Sequence, residues 1–326
     1  MNLNDLIKLL KGEKVYIQTH NFPDPDAIAS AFGLKQFLKY HGIESTICYD
    51  GKIEKLNIKK MVTTFGIDIY PIKQLEQIRG EEYVITVDAQ KLNANITGIH
   101  GNEIACIDHH PMFVECDYKY QDIRMTGACA TIIASYYDTM NTPIEPNVAA
   151  ALLYGIKMDT LEFTRGVTEL DVNMFGFLFR YADKDKLNSM YRNVMEFEDL
   201  RAYGAAIETI SVCDRIGFAE IPFDCPDGLI ATISEFILSL NVVEVAIVYA
   251  RREDGLKISV RSEVEEINAG TLTNLALSSV GNGGGHPSMA GGFIPNSNRS
   301  KLGDNVNDQL KQLFLRQMEF IKKGRK

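Results

Sequence analysis

No apolar run in the chain approaches the roughly 20 residues that a membrane-spanning helix needs, and the opening M-N-L-N-D-L-I-K-L-L-K-G has no long apolar stretch followed by a small-residue cleavage site. A membrane partner is therefore not expected, and the expected location is the cytoplasm. The six cysteines, at 48, 106, 116, 129, 213 and 225, show no C-x-x-C spacing and mostly sit in apolar segments. That argues against a disulfide framework, a zinc knot or dithiol redox chemistry, and for reduced core residues. Basic charge is also scarce: 34 Lys and Arg face 43 acidic residues, a net charge of −9. A protein that tracks long nucleic acid needs a continuous basic face, so that class is disfavoured. A small anionic substrate stays open, because cations held by several aspartates would offset part of the formal negative charge. Low-complexity tracts and internal repeats are missing as well, and 45% hydrophobic with 24% charged residues is a globular composition.

What is present is a series of apolar runs that end in polar residues. The stretch Val15 to Ser30 opens on an apolar run that leads into His20, Asp24 and Asp26, after which apolar residues at 28, 32, 34, 37 and 38 mark a helix. Pro23 and Pro25 limit the swing of the two carboxylates. One aspartate in this position is explained by capping the helix that follows; two aspartates and a histidine suggest a metal site. Further strands are expected at Ser45 to Tyr49, Ile67 to Ile72, Tyr83 to Val87 and Glu103 to Ile107, with a helix over Ile53 to Met61. The run at 83–87 ends in Asp88, and that at 103–107 in Asp108-His109-His110. A helical run opens at Thr126-Gly127 and continues to Met140; another runs from Glu145 through Leu153, and Gly155 to Met158 then leads into Asp159. With only six histidines in the chain, an adjacent pair at a strand end beside Asp is an unusual accident.

This alternation predicts an α/β fold: a mainly parallel, doubly wound sheet over residues 1–185, whose strand ends gather the polar residues in one crevice. A helical connector is expected over 186–210, because the pattern at Leu170 to Tyr181 and Leu187 to Ile210 is helical and free of proline. A smaller α/β domain follows over 211–326, with strands at Arg215 to Ile221, Val242 to Arg251 and Leu256 to Arg261, the last two joined in a hairpin at Asp254-Gly255. Its helices are expected at Asp227 to Leu240, Ala269 to Val280 and Asp304 to Lys322. Two domains suit 326 residues at roughly 150 per domain.

Five motifs in order resemble the DHH phosphoesterases, named for their Asp-His-His triplet. They are H-x-x-P-D-x-D-A-I-x-S at His20 to Ser30, V-D-A at Asp88, I-D-H-H at Asp108 to His110, G-I-K-M-D-T at Asp159, and Gly283-Gly284-Gly285-His286-Pro287 followed by Ala290-Gly291-Gly292. The last is similar to the signature of the DHH-associated domain, and Ser259-Val260-Arg261-Ser262 is similar to its arginine strand. The resemblance is to the short two-domain branch with nanoRNase-like oligoribonucleases, phosphoadenosine phosphate phosphatases and cyclic-dinucleotide hydrolases. Pro25 and Ala29 depart from it, standing where glycine is frequent in P-D-G-D-A-I-G-S.

The resemblance implies one metal held by His20, Asp24 and Asp88, and a second held by Asp26, Asp88, His109 and Asp159, with Asp88 and a shared water or hydroxide bridging them. Carboxylate and imidazole ligands without thiolate suit Mn²⁺, with Mg²⁺ or Co²⁺ as possible substitutes. His110 would touch a phosphate oxygen or assist the leaving group, and Asp108 would orient a ligand histidine. Arg261, Gly284, Gly285 and His286 would bind the substrate. A lone Gly-rich loop is weak by itself, and Arg165 is open between substrate contact and a solvated charge. The expected function is hydrolysis of short oligonucleotides or small nucleotide phosphates; a pyrophosphatase or exopolyphosphatase, and a non-catalytic nucleotide sensor, are the alternatives. A homodimer is possible.

Overall fold

A computed structural model describes residues 2–53, 55–75, 78, 80–193, 195–303 and 305–323. The chain divides into two compact units, residues 1–194 and 195–326. No helix among the described residues is long and apolar enough to cross a membrane.

The first unit runs α1 (Leu3–Leu10), β1 (Val15–Gln18), α2 (Pro25–Tyr40), β2 (Ser45–Tyr49), α3 (Leu56–Phe65), β3 (Ile69–Pro71), β4 (Tyr83–Val87), β5 (Asn102–Asp108), β6 (Tyr120–Ile123), α4 (Cys129–Thr139), α5 (Pro146–Asp159), α6 (Glu169–Phe179) and α7 (Lys184–Ser189). Its six strands form one sheet in the order β3-β2-β1-β4-β5-β6, and every pairing is parallel. Strand order reverses between β1 and β4, so the loops leaving these two strands diverge and leave a crevice at their carboxyl ends. The main core joins Val15, Ile17, Ile47, Ile85 and Val87 to apolar residues of α2, α4 and α5. The alternate strand residues Tyr16, Cys48 and Val84 belong to a smaller cluster with Ile78 and Ile99.

Three local results differ from the sequence expectation. Glycine weakens a helix by only about 1 kcal/mol, and α5 runs unbroken through Gly155 to end at Asp159. Asp159 is therefore delivered by a helix end rather than by a separate apolar run. A Cβ at Gly155 would lie 2.8 Å from the Ala29 Cβ and 3.2 Å from Asp26 Oδ1, so the glycine sets how closely α5 approaches α2. Within 187–210 the described residues hold the end of α7 and a second helix, Asp199–Thr209, rather than one helix. The sheet also gains an edge strand, β6, whose sequence Y-Q-D-I carries little periodicity.

The second unit runs α8 (Asp199–Thr209), β7 (Ser211–Cys213), β8 (Ile216–Ile221), α9 (Asp227–Leu238), β9 (Val245–Arg251), β10 (Gly255–Ser262), α10 (Ala269–Leu277), β11 (Asn282–Gly285), β12 (Met289–Pro295) and α11 (Val306–Lys323). The expected start of the last helix, Asp304, lies outside the described residues. This sheet has the order β11-β12-β10-β9-β8-β7; β8 and β9 are parallel, and β9 and β10 form the antiparallel hairpin expected at Asp254-Gly255. The glycine cluster is an edge strand paired with β12 rather than an open turn. Its composition has a packing reason. A Cβ at Gly283 would lie 2.6 Å from Thr273 Cγ2, one at Gly292 2.3 Å from Leu277 Cδ1, and one at Gly270 2.3 Å from the Gly285 carbonyl oxygen, so α10 rests directly on the strand backbone.

Candidate metal centre

At the carboxyl edge of the first sheet, the loop after β1 supplies His20, and α2 begins with Asp24 as its N-cap, Pro25 as its first residue and Asp26 next. Asp24 is thus a helix cap, accepting the Ala27 N–H at 3.0 Å, and it also faces His20 Nε2 at 3.8 Å. Asp26 is buried and does not cap its own helix. Its carboxylate instead receives the Cys129 and Ala130 N–H groups at 2.7 and 2.9 Å, sitting on the N-terminus of α4, where backbone donors and the helix dipole favour an anion.

Asp88, directly after β4, lies between the two histidines. Its Oδ2 is 3.6 Å from His20 Nε2 and its Oδ1 is 3.4 Å from His109 Nε2. His109 Nε2 lies in turn 3.3 Å from Asp159 Oδ2. Asp88 has the left-handed φ of 56°, a strained choice for a non-glycine residue. Its Oδ1 is buried without a hydrogen-bond partner. Leaving such an oxygen unpaired costs about 1–3 kcal/mol. The His-to-carboxylate separations exceed hydrogen-bond length, yet are close to the ~3.0–3.4 Å between two donors that share one small cation. Two groups, His20-Asp24-Asp88 and Asp26-His109-Asp159, each place one ligand atom per residue within 4.8 Å of the others. The donor chemistry and the orphaned oxygen fit a pair of divalent cations.

Backbone carbonyls fix both imidazoles. His20 Nδ1 lies 2.8 Å from the Asn21 carbonyl and His109 Nδ1 lies 3.0 Å from the Thr126 carbonyl; a carbonyl can only accept, so the Nδ1–H donates, and it is Nε2, on the side of the carboxylates, that exposes a lone pair once the ring is neutral. Asp108 does not orient His109. Its Oδ1 takes the His109 and His110 N–H groups and lies 2.9 Å from His110 Nδ1, while Gln90 Nε2 donates to its Oδ2 at 2.8 Å. His110 is half-exposed, so its Nε2 remains for a ligand. Asp108, Asp88, His109 and His110 form a third group within the same 4.8 Å limit.

Charge crowding is visible in the proton affinities of the metal-free site. Burial drives Asp159 up to about 6, with Asp24 and Asp88 adding to it. Burial also raises Asp26 and Asp88, and neighbouring carboxylates push both the same way. Burial opposes a charged ring at His20 and His109, but Asp24 and Asp88 raise the first to about 9, and Asp88, Asp26 and Asp159 raise the second to about 10. Protons thus hold together carboxylates that would otherwise repel.

The structure brings together His20, Asp24, Asp26, Asp88, Asp108, His109, His110 and Asp159. Arg165 Nη2 donates to the Asp159 carbonyl at 2.7 Å and lies 3.4 Å from its carboxylate, with 35% of the side chain exposed, so it is a charge paired beside the candidate metal ligands. In the second unit, Arg261 pairs with Glu235 of α9 and donates to Ser259 Oγ at 3.2 Å. A Cβ at Gly284 would meet nothing within 4 Å, whereas Gly285, at φ 153°, could take no side chain without striking Met289. His286 is exposed. Sequence reasoning missed Gln90, the Asn21 and Thr126 carbonyls, and the buried Asp171. Only Asp171 had a signal, the Thr168-x-x-Asp171 spacing of a capping box.

Residues 14–156 match the DHH family, N-terminal domain, and residues 214–315 match the DHHA1 domain. The chain is 30% identical over 290 residues to an uncharacterized protein of Methanocaldococcus jannaschii, covering 87% of this chain and 59% of that protein, so it spans less than two thirds of that relative's length. It is 27% identical over 263 residues to a probable manganese-dependent inorganic pyrophosphatase of Staphylococcus haemolyticus, covering 78% of this chain and 79% of that one. The crystal structure of an exopolyphosphatase-related protein from Bacteroides fragilis has the same fold, with a TM-score of 0.78 at 18% identity over 98% of this chain and 97% of that one. With a DHH family N-terminal domain and a DHHA1 domain present in order on one chain, this protein has the two-domain DHH/DHHA1 architecture.

Proposed function

We propose that the chain hydrolyses phosphoric esters in short oligonucleotides or small nucleotide phosphates, using two divalent cations, with Mn²⁺ as the preferred ion. The observation that carries the proposal is the buried Asp88 carboxylate, which turns one oxygen to His20 and the other to His109. His20, Asp24 and Asp88 would hold one ion, and Asp26, Asp88, His109 and Asp159 the other. When bound, such a pair supplies a nucleophile at neutral pH by lowering the pKa of water and neutralises charge that develops on the phosphoryl oxygens. The chain's own groups do the rest. The carbonyls of Asn21 and Thr126 hold the Nδ1 proton of each imidazole, so that the proton each ring gives up to bind a cation is the one on Nε2, and the Asp108 carboxylate raises the basicity of His110 through its Nδ1. That arrangement suits His110 to donate a hydrogen bond, or a proton, to a phosphate or leaving oxygen.

For the substrate, we place Arg261, Gly284, Gly285 and His286 on its anionic groups. Arg261 would exchange Glu235 for phosphate, and the open Gly284 backbone with exposed His286 offers donors to a second oxygen. The relative named as a pyrophosphatase favours a second reading, in which pyrophosphate or polyphosphate is cleaved. A substrate panel with Mn²⁺ separates them: 5′-phosphorylated dinucleotide, phosphoadenosine phosphate, cyclic dinucleotide, pyrophosphate and polyphosphate. Turnover of the nucleotides is expected. Turnover confined to the last two would replace the first reading by the second, and tight nucleotide binding without product under Mn²⁺, Mg²⁺ and Co²⁺ would make the protein a sensor.

A further inference from the structure

We infer that Asp171, which contacts none of the candidate metal ligands, is the positioning residue for one of the two metal groups, Asp26-His109-Asp159. The inference rests on the two-cation reading above. Asp171 is fully buried in the first turn of α6. In an ordinary capping box the acid at this position reaches back only to the N-cap N–H, and Asp171 does accept the Thr168 N–H at 2.7 Å. The same oxygen, Oδ2, also accepts the Thr168 hydroxyl at 2.6 Å and the Gly127 N–H at 2.9 Å, a residue 44 positions away. The other oxygen takes the Thr131 hydroxyl. One carboxylate therefore clamps both ends of the segment 127–131.

All three members of the group hang on that segment or against it. Thr126, just before it, offers the carbonyl that takes the His109 Nδ1–H. Cys129 and Ala130, within it, give their N–H groups to Asp26. On the third side, Gly127 packs so closely on Thr160, the residue after Asp159, that a Cβ there would lie 2.6 Å from Thr160 Cγ2 and 2.9 Å from Asp171 Oδ2. His20 and Asp24 have no such link: the loop that carries His20 is tied instead to Asn95, Thr97 and Asp50. Loss of the clamp should weaken one ion and spare the other, an asymmetry that a general loss of stability would not produce.

The test is titration of metal-free protein with Mn²⁺ by calorimetry, with thermal unfolding in parallel. Wild type should bind two ions. Asp171→Ala should bind one ion at wild-type affinity and the other about 10–100-fold more weakly, the range found for groups that orient ligands. Thr168→Val removes the hydroxyl of the capping box but leaves the Asp171–Gly127 bond, so it should lower the melting temperature and keep both affinities. If Asp171→Ala does not fold, Gly127→Ala asks the same question from the other partner, since the added methyl must push the loop off Asp171; selective loss of one ion is again expected. Two wild-type affinities in Asp171→Ala, or in Gly127→Ala, would reduce Asp171 to a helix cap. Fewer than two ions on the wild type would instead overturn the two-cation reading itself.

Discussion

Raising the pH should strengthen metal binding and weaken the metal-free fold, and the structure sets both magnitudes. In the metal-free protein His20 and His109 keep their protons up to about pH 9 and about pH 10, yet each must give up its Nε2 proton to hold a cation. Below those values each ion competes with a proton, and its apparent affinity grows about tenfold per pH unit. From pH 7 to pH 9 that is about 50-fold for the ion on His20 and about 90-fold for the ion on His109, or ~2.3 and ~2.7 kcal/mol at ~1.4 kcal/mol per tenfold. At pH 7, loading both ions should release about two protons, one from each imidazole. Stability without metal moves the other way. Both imidazoles titrate above the unfolded value of 6.5, so their contribution is complete below pH 6.5 and is lost as the pH rises through about 9 and about 10. Asp159, raised from 3.8 to about 6, likewise contributes below 3.8 and loses it through about 6. Calorimetric titration with Mn²⁺ in buffers of different ionisation enthalpy counts the protons, and thermal unfolding in chelator against pH reads the fold. Release of less than one proton at pH 7, or an affinity flat between pH 7 and 9, would refute the proton–metal competition.

Asp88→Ala should abolish hydrolysis and reduce metal occupancy at both sites, measured by metal analysis after desalting; retained activity would end its shared role. His110→Ala should leave two ions bound and lower kcat, because this ring is fixed by Asp108 rather than by the ligand groups; loss of an ion would make it a ligand instead. Gly155→Ala must fit a methyl 2.8 Å from Ala29 Cβ and should destabilise by about 1–3 kcal/mol in urea unfolding. A neutral result would mean that α2 and α5 have slack there. Arg261→Ala should raise KM more than it lowers kcat, and equal falls in kcat and kcat/KM would move Arg261 into the chemical step.

The amino-acid sequence by itself determined the strands that matter most and the residues at their ends. The run that starts at Val15, Tyr83 to Val87 and Glu103 to Ile107 are short apolar segments whose strand preference is local; Asp88 and Asp108 come directly after the second and third, and His20 lies two residues beyond the end of β1. The Asp24 cap and Pro25 at the first helical position were equally local signals. Distance along the chain hid the rest. β6 is held by its pairing with β5, which a polar Y-Q-D-I segment does not announce. The packing role of glycines 283, 285 and 292 was not legible, because nothing local tells that α10 rests on them. Only the folded arrangement decided that Asp159 arrives on a helix, that Asp26 is held by α4, and that His109 is oriented by a carbonyl whose loop depends on Asp171. Side-chain type fixes what each ligand can do, whereas the orientation of His109 and Asp26 is set by hydrogen bonds to residues 17 to 104 positions away, and those exist only once the helices have packed on the sheet.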